Sequence, residues 1–358
     1  MLYAFGSNGS AQLGVGHTDD LSKPEAIATP SSTSRWSVKQ LAAGGNHTII
    51  LCDDGKVRAT GNNEDGRCGI RDVQQLLQFT EVPLPLDGSG GSLAVRRVTA
   101  SWSATAFLCD DGHVYVCGSG SSGELGLGPS VANSPSLARV PDFPPPGTTI
   151  MYLASGMAHM IAVLSNGEVY GWGKGRKGQL GEPAQDVWSP RRVSGLDFGA
   201  IKASCGKDFT FVVGDSSTGQ MAVLGPKGID RFGIRANAPV ALASWVDIAA
   251  SWCSVYALKA SGDIMAWGRD DHGQLPPRGL PKIEAIAAGS EHCLALTRAG
   301  EVLAWGWGEH GNCGVPTDDN GDVKARWNEI DAPGRIAKIY AGCATSFVET
   351  VEEAYLPR

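Results

Sequence analysis

The 358-residue chain contains no G-x-S-x-G elbow, no H-E-x-x-H pair and no glycine-lysine phosphate loop. Those absences remove the usual local signatures of serine hydrolases, zinc peptidases and P-loop nucleotide hydrolases. Its nine cysteines include no C-x-x-C pair, so no zinc site of the chain's own is expected. No apolar run approaches the roughly 20 residues of a membrane helix, and no membrane contact is expected. Positive charge is scarce: 30 Lys and Arg face 37 Asp and Glu, a formal net charge of −7. No basic tail or stripe stands out, which disfavours direct nucleic-acid binding. The nearest basic cluster, Lys174, Arg176 and Lys177 with Arg191 and Arg192 beyond it, reads as solvated loop charge. Helical periodicity is nearly absent, its best candidate lying at residues 71–79. The chain opens into a strand at Leu2, with no targeting segment expected before it. An odd cysteine count without a secretory signal fits a reducing compartment, and the expected location is cytoplasmic and nuclear.

Glycine, by contrast, is abundant at 48 residues, and much of it belongs to a repeat. A small-residue loop, an apolar strand, a tight turn and an aromatic-Gly strand recur seven times. Clear copies read AAGGNHTIILCDDGKVRATGNN, TASWSATAFLCDDGHVYVCGSG and AAGSEHCLALTRAGEVLAWGWG. The seventh copy is divided: YAGCATSFVET stands near the C-terminus, and its second strand is LYAFGSN at residues 2–8. With Gly44 as reference, equivalents fall at Ser101, Gly156, Gly206, Ser251, Gly289 and Gly342. Their spacing runs from 38 residues (Ser251 to Gly289) to 57 (Gly44 to Ser101). A hairpin repeated at roughly this period points to a β-propeller, and seven blades lie within the usual range of about four to eight.

The expectation is therefore an all-β, seven-bladed β-propeller spanning residues 1–358. It is closed by pairing the N-terminal strand with the C-terminal strands, so that one blade is shared between residues 1–43 and 341–358. Asp-Gly, Asn-Gly and Ser-Gly pairs ending at Gly55, Gly112, Gly167 and Gly262 suit two-residue hairpin turns that need positive φ. The cysteines fall into the repeat as small buried hydrophobes. Cys68 and Cys313 take the place of Leu13, Leu125 and Leu180, and Cys117 that of the strand's aromatic residue.

Hairpin geometry puts the loop before the first strand and the loop after the aromatic-Gly pair on one face. Loops on a rigid ring are where binding chemistry collects. The first loops there offer Asn46, Trp102, Lys207, Asp208, Trp252, Glu291 and His292; the second offer Trp307, Glu309, His310 and Asn312. These eleven form the candidate partner-binding set, since aromatic residues beside charges mark protein interfaces. For Trp102 and Trp252 a plug in the central channel is the competing role. Trp172, Trp267 and Trp305 recur at one repeat position and read as core. The equivalent His47, His159 and His292 read as hydrogen-bonding groups before they read as metal ligands. Carboxylates and histidines on one face are compatible with acid-base work, but no nucleophile motif accompanies them. The chain is thus expected to be no enzyme and to hold no cofactor or metal.

The A-x-G-x-x-H loop, Asp-Gly turn, V-Y-x-W-G strand and G-Q-L-G tail resemble the regulator of chromosome condensation family of seven-bladed propellers, over essentially the whole chain. Within it, YAFGSNGSAQLGVGH, GKDF at 206–209, GSEH at 289–292 and WGWGEHGNCG at 305–314 resemble the branch of fungal alpha-tubulin suppressor, or killer-toxin-insensitivity, proteins. That resemblance implies a heterodimer with the small CSL-type zinc- or iron-binding protein of diphthamide biosynthesis, the metal being carried by the partner. Through it the pair would support Elongator-dependent wobble-uridine modification in transfer RNA and diphthamide formation on elongation factor 2. The alternative is guanine-nucleotide exchange on a small GTPase, as in the founding member. That member's wedge-like hairpin has no obvious counterpart here, and the long stretch 72–93 reads as an outer-strand connection.

Overall fold

The first strand of each unit lines a central channel, and the next strands step outward from it. In the computed structural model, residues 1–29, 36–88, 90–226 and 228–351 are described, and they form 26 strands in seven sheets. Blade 1 shows the plan. Val38–Ala43 lies innermost, His47–Cys52 returns beside it, Val57–Asn62 follows, and Gln75–Glu81 closes the outer edge. The second strand is covered on both sides by neighbouring blades, so HTIILC is buried at every position rather than at alternate ones. Blades 2 (95–139), 3 (150–192) and 6 (283–330) repeat this order.

Among the described residues, blades 4 (202–224) and 5 (245–268) have three strands each. Beyond Gly268 the chain reaches Pro276, Pro277 and Pro281 within a few residues. Proline cannot donate to a ladder, so no outer strand forms there. Beyond Leu224 the chain turns repeatedly through residues 228–237.

Blade 7 is the shared one. Its sheet runs Arg335–Ala341, Thr345–Val351, Leu2–Gly6, Leu21–Ala26, with Leu2 opposite Glu349 and Gly6 opposite Thr345. The ring is closed by this pairing; residues 352–358 of the expected closing segment lie outside the described residues.

The aromatic-Gly pair has a backbone cause. Gly6, Gly61, Gly118, Gly173, Gly268 and Gly306 all have φ between +102° and +127°. A Cβ there would strike the carbonyl oxygen of the facing loop, at 2.4 Å from Asn46 for Gly61 and 2.5 Å from Glu291 for Gly306. The aromatic residue just before it fills the space between blades. Trp172, Trp267 and Trp305 are 0–5% exposed, and each indole N–H donates to a carbonyl of the preceding blade's tail: Glu124, Ile234 and Gln274.

The stretch 72–93, expected as an outer-strand connection, supplies the outer strand Gln75–Glu81, which overlaps the faint helical period at 71–79. A register shift against blade 1's third strand turns Leu76 and Phe79 inward, and their spacing of three imitates a helix.

Candidate partner-binding face

All seven first loops share one bond. The N–H of Gly44, Ser101, Gly156, Gly206, Ser251, Gly289 and Gly342 donates to the carbonyl three residues on, at 2.8–3.0 Å. The following residue ties six of the loops to the next blade: Gly45 N–H to Trp102, Trp102 to Met157, Met157 to Gly206, Lys207 to Trp252, Trp252 to Ser290 and Ser290 to Gly342, at 2.9–3.4 Å. These bonds run around the channel mouth and hold the loop face as a rigid collar.

Trp102 and Trp252 belong to blades 2 and 5, on opposite sides of the ring. Their rings nevertheless meet, centroids 5.8 Å apart and planes tilted by 44°. Both also line the channel cavity, of about 250 Å³, so the pair spans its mouth. The plug role is therefore real, but it does not hide the indoles: Trp102 remains 37% exposed. Lys207 Nζ lies 5.5 Å from the Trp252 centroid, a cation–π contact. Asp208, beside it, pairs with Lys174 at 3.4 Å. Asn46 is half-buried at the collar, its carbonyl taken by the Asn62 N–H.

A second cluster sits over blades 5 and 6. The half-buried Trp307 stacks on His272, centroids 5.2 Å apart, and His272 Nδ1 lies 2.8 Å from Asp322 Oδ1. Glu309 and His310 are exposed, with His310 Nδ1 3.0 Å from Asp20 Oδ2 of blade 7.

Three side chains of the expected set are removed from the surface. Glu291, 4% exposed, accepts from Arg269 Nη1 and Gln274 Nε2, both at 2.9 Å. Arg269 simultaneously clasps Asp271, whose carboxyl this holds down at about 2. Asn312, 1% exposed, donates to the Trp307 carbonyl at 2.8 Å and so shapes the loop from beneath. His292 is wholly buried: its Nε2 lies 2.9 Å from Ser346 Oγ in blade 7.

His292 shares this arrangement with His47 and His159, which reach Thr105 and Thr210 of the next blade at 2.8 and 3.0 Å. Each hydroxyl already donates its proton to a backbone carbonyl: Arg67, Gln179 or Asn312. The histidine must then donate from Nε2, which fixes its neutral tautomer. Burial lowers His47 to about 3 and His159 and His292 to about 4. The rings lie over Gly44, Gly156 and Gly289, where a Cβ would come within 2.1–2.5 Å of Cε1. Blades with Ala104 or Ser254 at the histidine position carry Ser101 or Ser251 instead of glycine. These histidines are cross-blade struts. Among the described residues no three His, Cys, Asp or Glu side chains gather as metal ligands would.

Sequence reasoning missed Arg269, which organises the blade 5–6 acids, and Phe232, which stands 5.3 Å from the Arg269 guanidinium. Arg269 holds the repeat position of Asn62, Ser119 and Lys174, where no residue type recurs; Phe232 lies in a turn-rich insertion, signalled only by Arg231 beside it.

The profile of the RCC1-like domain matches residues 1–348. An RCC1 repeat-containing protein of Schizosaccharomyces pombe is 32% identical over 99% of both chains. The mouse secretion-regulating guanine nucleotide exchange factor is 29% identical over 79% of this chain, which spans only 64% of that protein. The structure of Prp20p from Saccharomyces cerevisiae superposes with a TM-score of 0.83 at 21% identity, covering 99% of this chain and 92% of the other. The fold, the seven-copy collar and these matches agree, and the chain belongs to the RCC1-like domain family of seven-bladed propellers.

Proposed function

We propose that this chain is a non-catalytic binding protein that holds one partner protein against its loop face. The observation that carries this is the Trp102–Trp252 pair: two indoles held on a hydrogen-bonded collar, one still 37% exposed, with Lys207 beside them. Rigid aromatic residues bind at low entropic cost and dominate protein interfaces.

Two partners are in view. A small GTPase undergoing guanine-nucleotide exchange has the support of relatives: the mouse protein is named for that activity, although this chain matches only part of its length. The second reading is the small CSL-type metal protein, with the metal in the partner and the pair serving Elongator-dependent wobble-uridine modification and diphthamide formation in cytoplasm and nucleus. It rests on the WGWGEHGNCG stretch and on one feature of the fold. Among the described residues no strand pair projects from the loop face. Of the two isolated bridges among the described residues, Val15 to Gln78 joins the loop after Leu2–Gly6 to blade 1's outer strand, and Leu86 to Ser92 belongs to the connection between blades 1 and 2 on the opposite face.

Calorimetry with the zinc-loaded CSL-type protein, run beside a labelled-GDP release assay on small GTPases, separates the two. Accelerated GDP release without metal-protein binding establishes the exchange reading. One-to-one binding of the metal protein without GDP release establishes the other. Silence in both assays refutes both partners.

A further inference from the structure

Between blades 4 and 5 the loop face opens into a second cavity, separate from the channel. It exists because blade 4 lacks an outer strand: after Met221–Leu224 the chain folds back over the loop face instead of running down the blade's edge. Asp230 fixes that fold, its carboxylate accepting from the backbone N–H groups of Ile234, Arg235 and Ala236 at 2.8–3.0 Å. The result is a cavity of about 150 Å³ lined by Phe209, Phe232, Ile234 and Trp252, with Ile229 89% exposed at its rim. An apolar cavity of roughly this size admits a benzene-sized ring.

The lining carries two cations and two carboxylates, but they are not equally engaged. The two carboxylates of the lining are occupied, Asp208 by Lys174 and Asp230 by its own loop. Arg269, near Phe232, is neutralised by Asp271 and Glu291. Lys207 and Arg231 meet only rings, Trp252 at 5.5 Å and Phe232 at 5.1 Å, and have no ion pair among the described residues. An apolar cavity with two cations free of ion pairs at its edge suits an anion attached to an apolar group.

We propose that this cavity receives one aromatic side chain from an acidic segment of the partner, whose flanking carboxylates pair with Lys207 and Arg231. The proposal rests on the loop face being the partner surface and specifies what the partner presents there. The ring packs against Phe232 and Trp252, and the charges set the direction in which the segment crosses from blade 4 to blade 5.

The test uses the full chain and fluorescein-labelled, end-capped peptides followed by anisotropy. Asp-Glu-Phe-Asp-Glu is expected to bind about tenfold more tightly than Asp-Glu-Ala-Asp-Glu and than Lys-Lys-Phe-Lys-Lys. Its binding is expected to fall about tenfold in Arg231→Glu and in Phe232→Ala. Arg231 is exposed and unpaired, so an unchanged melting temperature in Arg231→Glu separates lost binding from lost fold. Equal affinity for the three peptides, or affinity unmoved by both substitutions, overturns the proposal. The partner-face reading fails separately, through Trp102→Ala: a partner protein that binds regardless of Trp102 refutes the face while leaving the peptide result standing. A partner that needs Trp102 but tolerates both Arg231→Glu and Phe232→Ala refutes the cavity's role alone.

Discussion

A buried neutral histidine makes stability depend on pH in a definite direction. His292 has its pKa lowered by burial to about 4 in the fold, against about 6.5 in an unfolded chain. Between these values the unfolded state takes up the proton and the folded state does not, so stability is full above pH 6.5 and is lost as pH falls towards 4. His292→Gln, whose amide still donates to Ser346, removes that titration. The expected melting-temperature gap between wild type and variant, largest at pH 7.5, narrows by pH 5; a gap that widens refutes a neutral buried imidazole. At the collar, Trp102→Ala is expected to lower partner affinity by roughly 2 kcal/mol, about thirtyfold, measured by calorimetry. Because Trp102 is exposed at 37%, its melting temperature should hardly move. The repeat alone accounts for His292, which opens its second strand at a position buried in all seven blades. It does not account for Trp102, two positions earlier in its loop, whose setting depends on Trp252 across the channel. Glu291 likewise reads as a surface acid until Arg269 and Gln274, from a different blade, are seen to close over it.

Individual strands and turns were far more legible. The hairpins announced themselves through glycine, and the turn glycines Gly55, Gly112, Gly167 and Gly262 all have φ of +79° to +85°. The rule is strict enough to test. Gly306→Ala must place a methyl group 2.5 Å from the Glu291 carbonyl at φ +108°, and is expected to cost roughly 1–3 kcal/mol. Gly9→Ala meets nothing within 4 Å and serves as the neutral control; urea midpoints compare the two. Outer strands were less legible because they pack on one side only and tolerate irregular register. Blade 1's outer strand shifts register opposite Ala59 and Gly61, and among the described residues two blades omit theirs. That omission escaped notice for a physical reason: a missing strand leaves a loop of ordinary composition. Yet it is the omission in blade 4 that makes room for the Phe232 cavity.

At the scale of the ring, the divided blade was legible because its two halves complete one repeat, and their pairing from Leu2–Glu349 to Gly6–Thr345 is continuous. Removal of residues 341–358 should strip that blade of its middle strand and leave Leu2–Gly6 paired only with Leu21–Ala26, exposing open sheet edges. Size-exclusion chromatography and circular dichroism are expected to show aggregate or unfolded chain; a soluble monomer with wild-type melting refutes closure by this blade. The same pairing imposes a timetable. The N–H of Thr350 bonds to the carbonyl of Met1, so a strand made early must wait for one made nearly 350 residues later. At about 5–20 residues per second that wait lasts roughly 20–70 s. Six blades can stack meanwhile and Leu2–Gly6 can pair with Leu21–Ala26, but its other edge stays open until Thr345–Val351 is made. A chaperone that shelters the nascent amino-terminal segment would therefore act on this protein longer than on one whose opening strand finds its partner within the first domain.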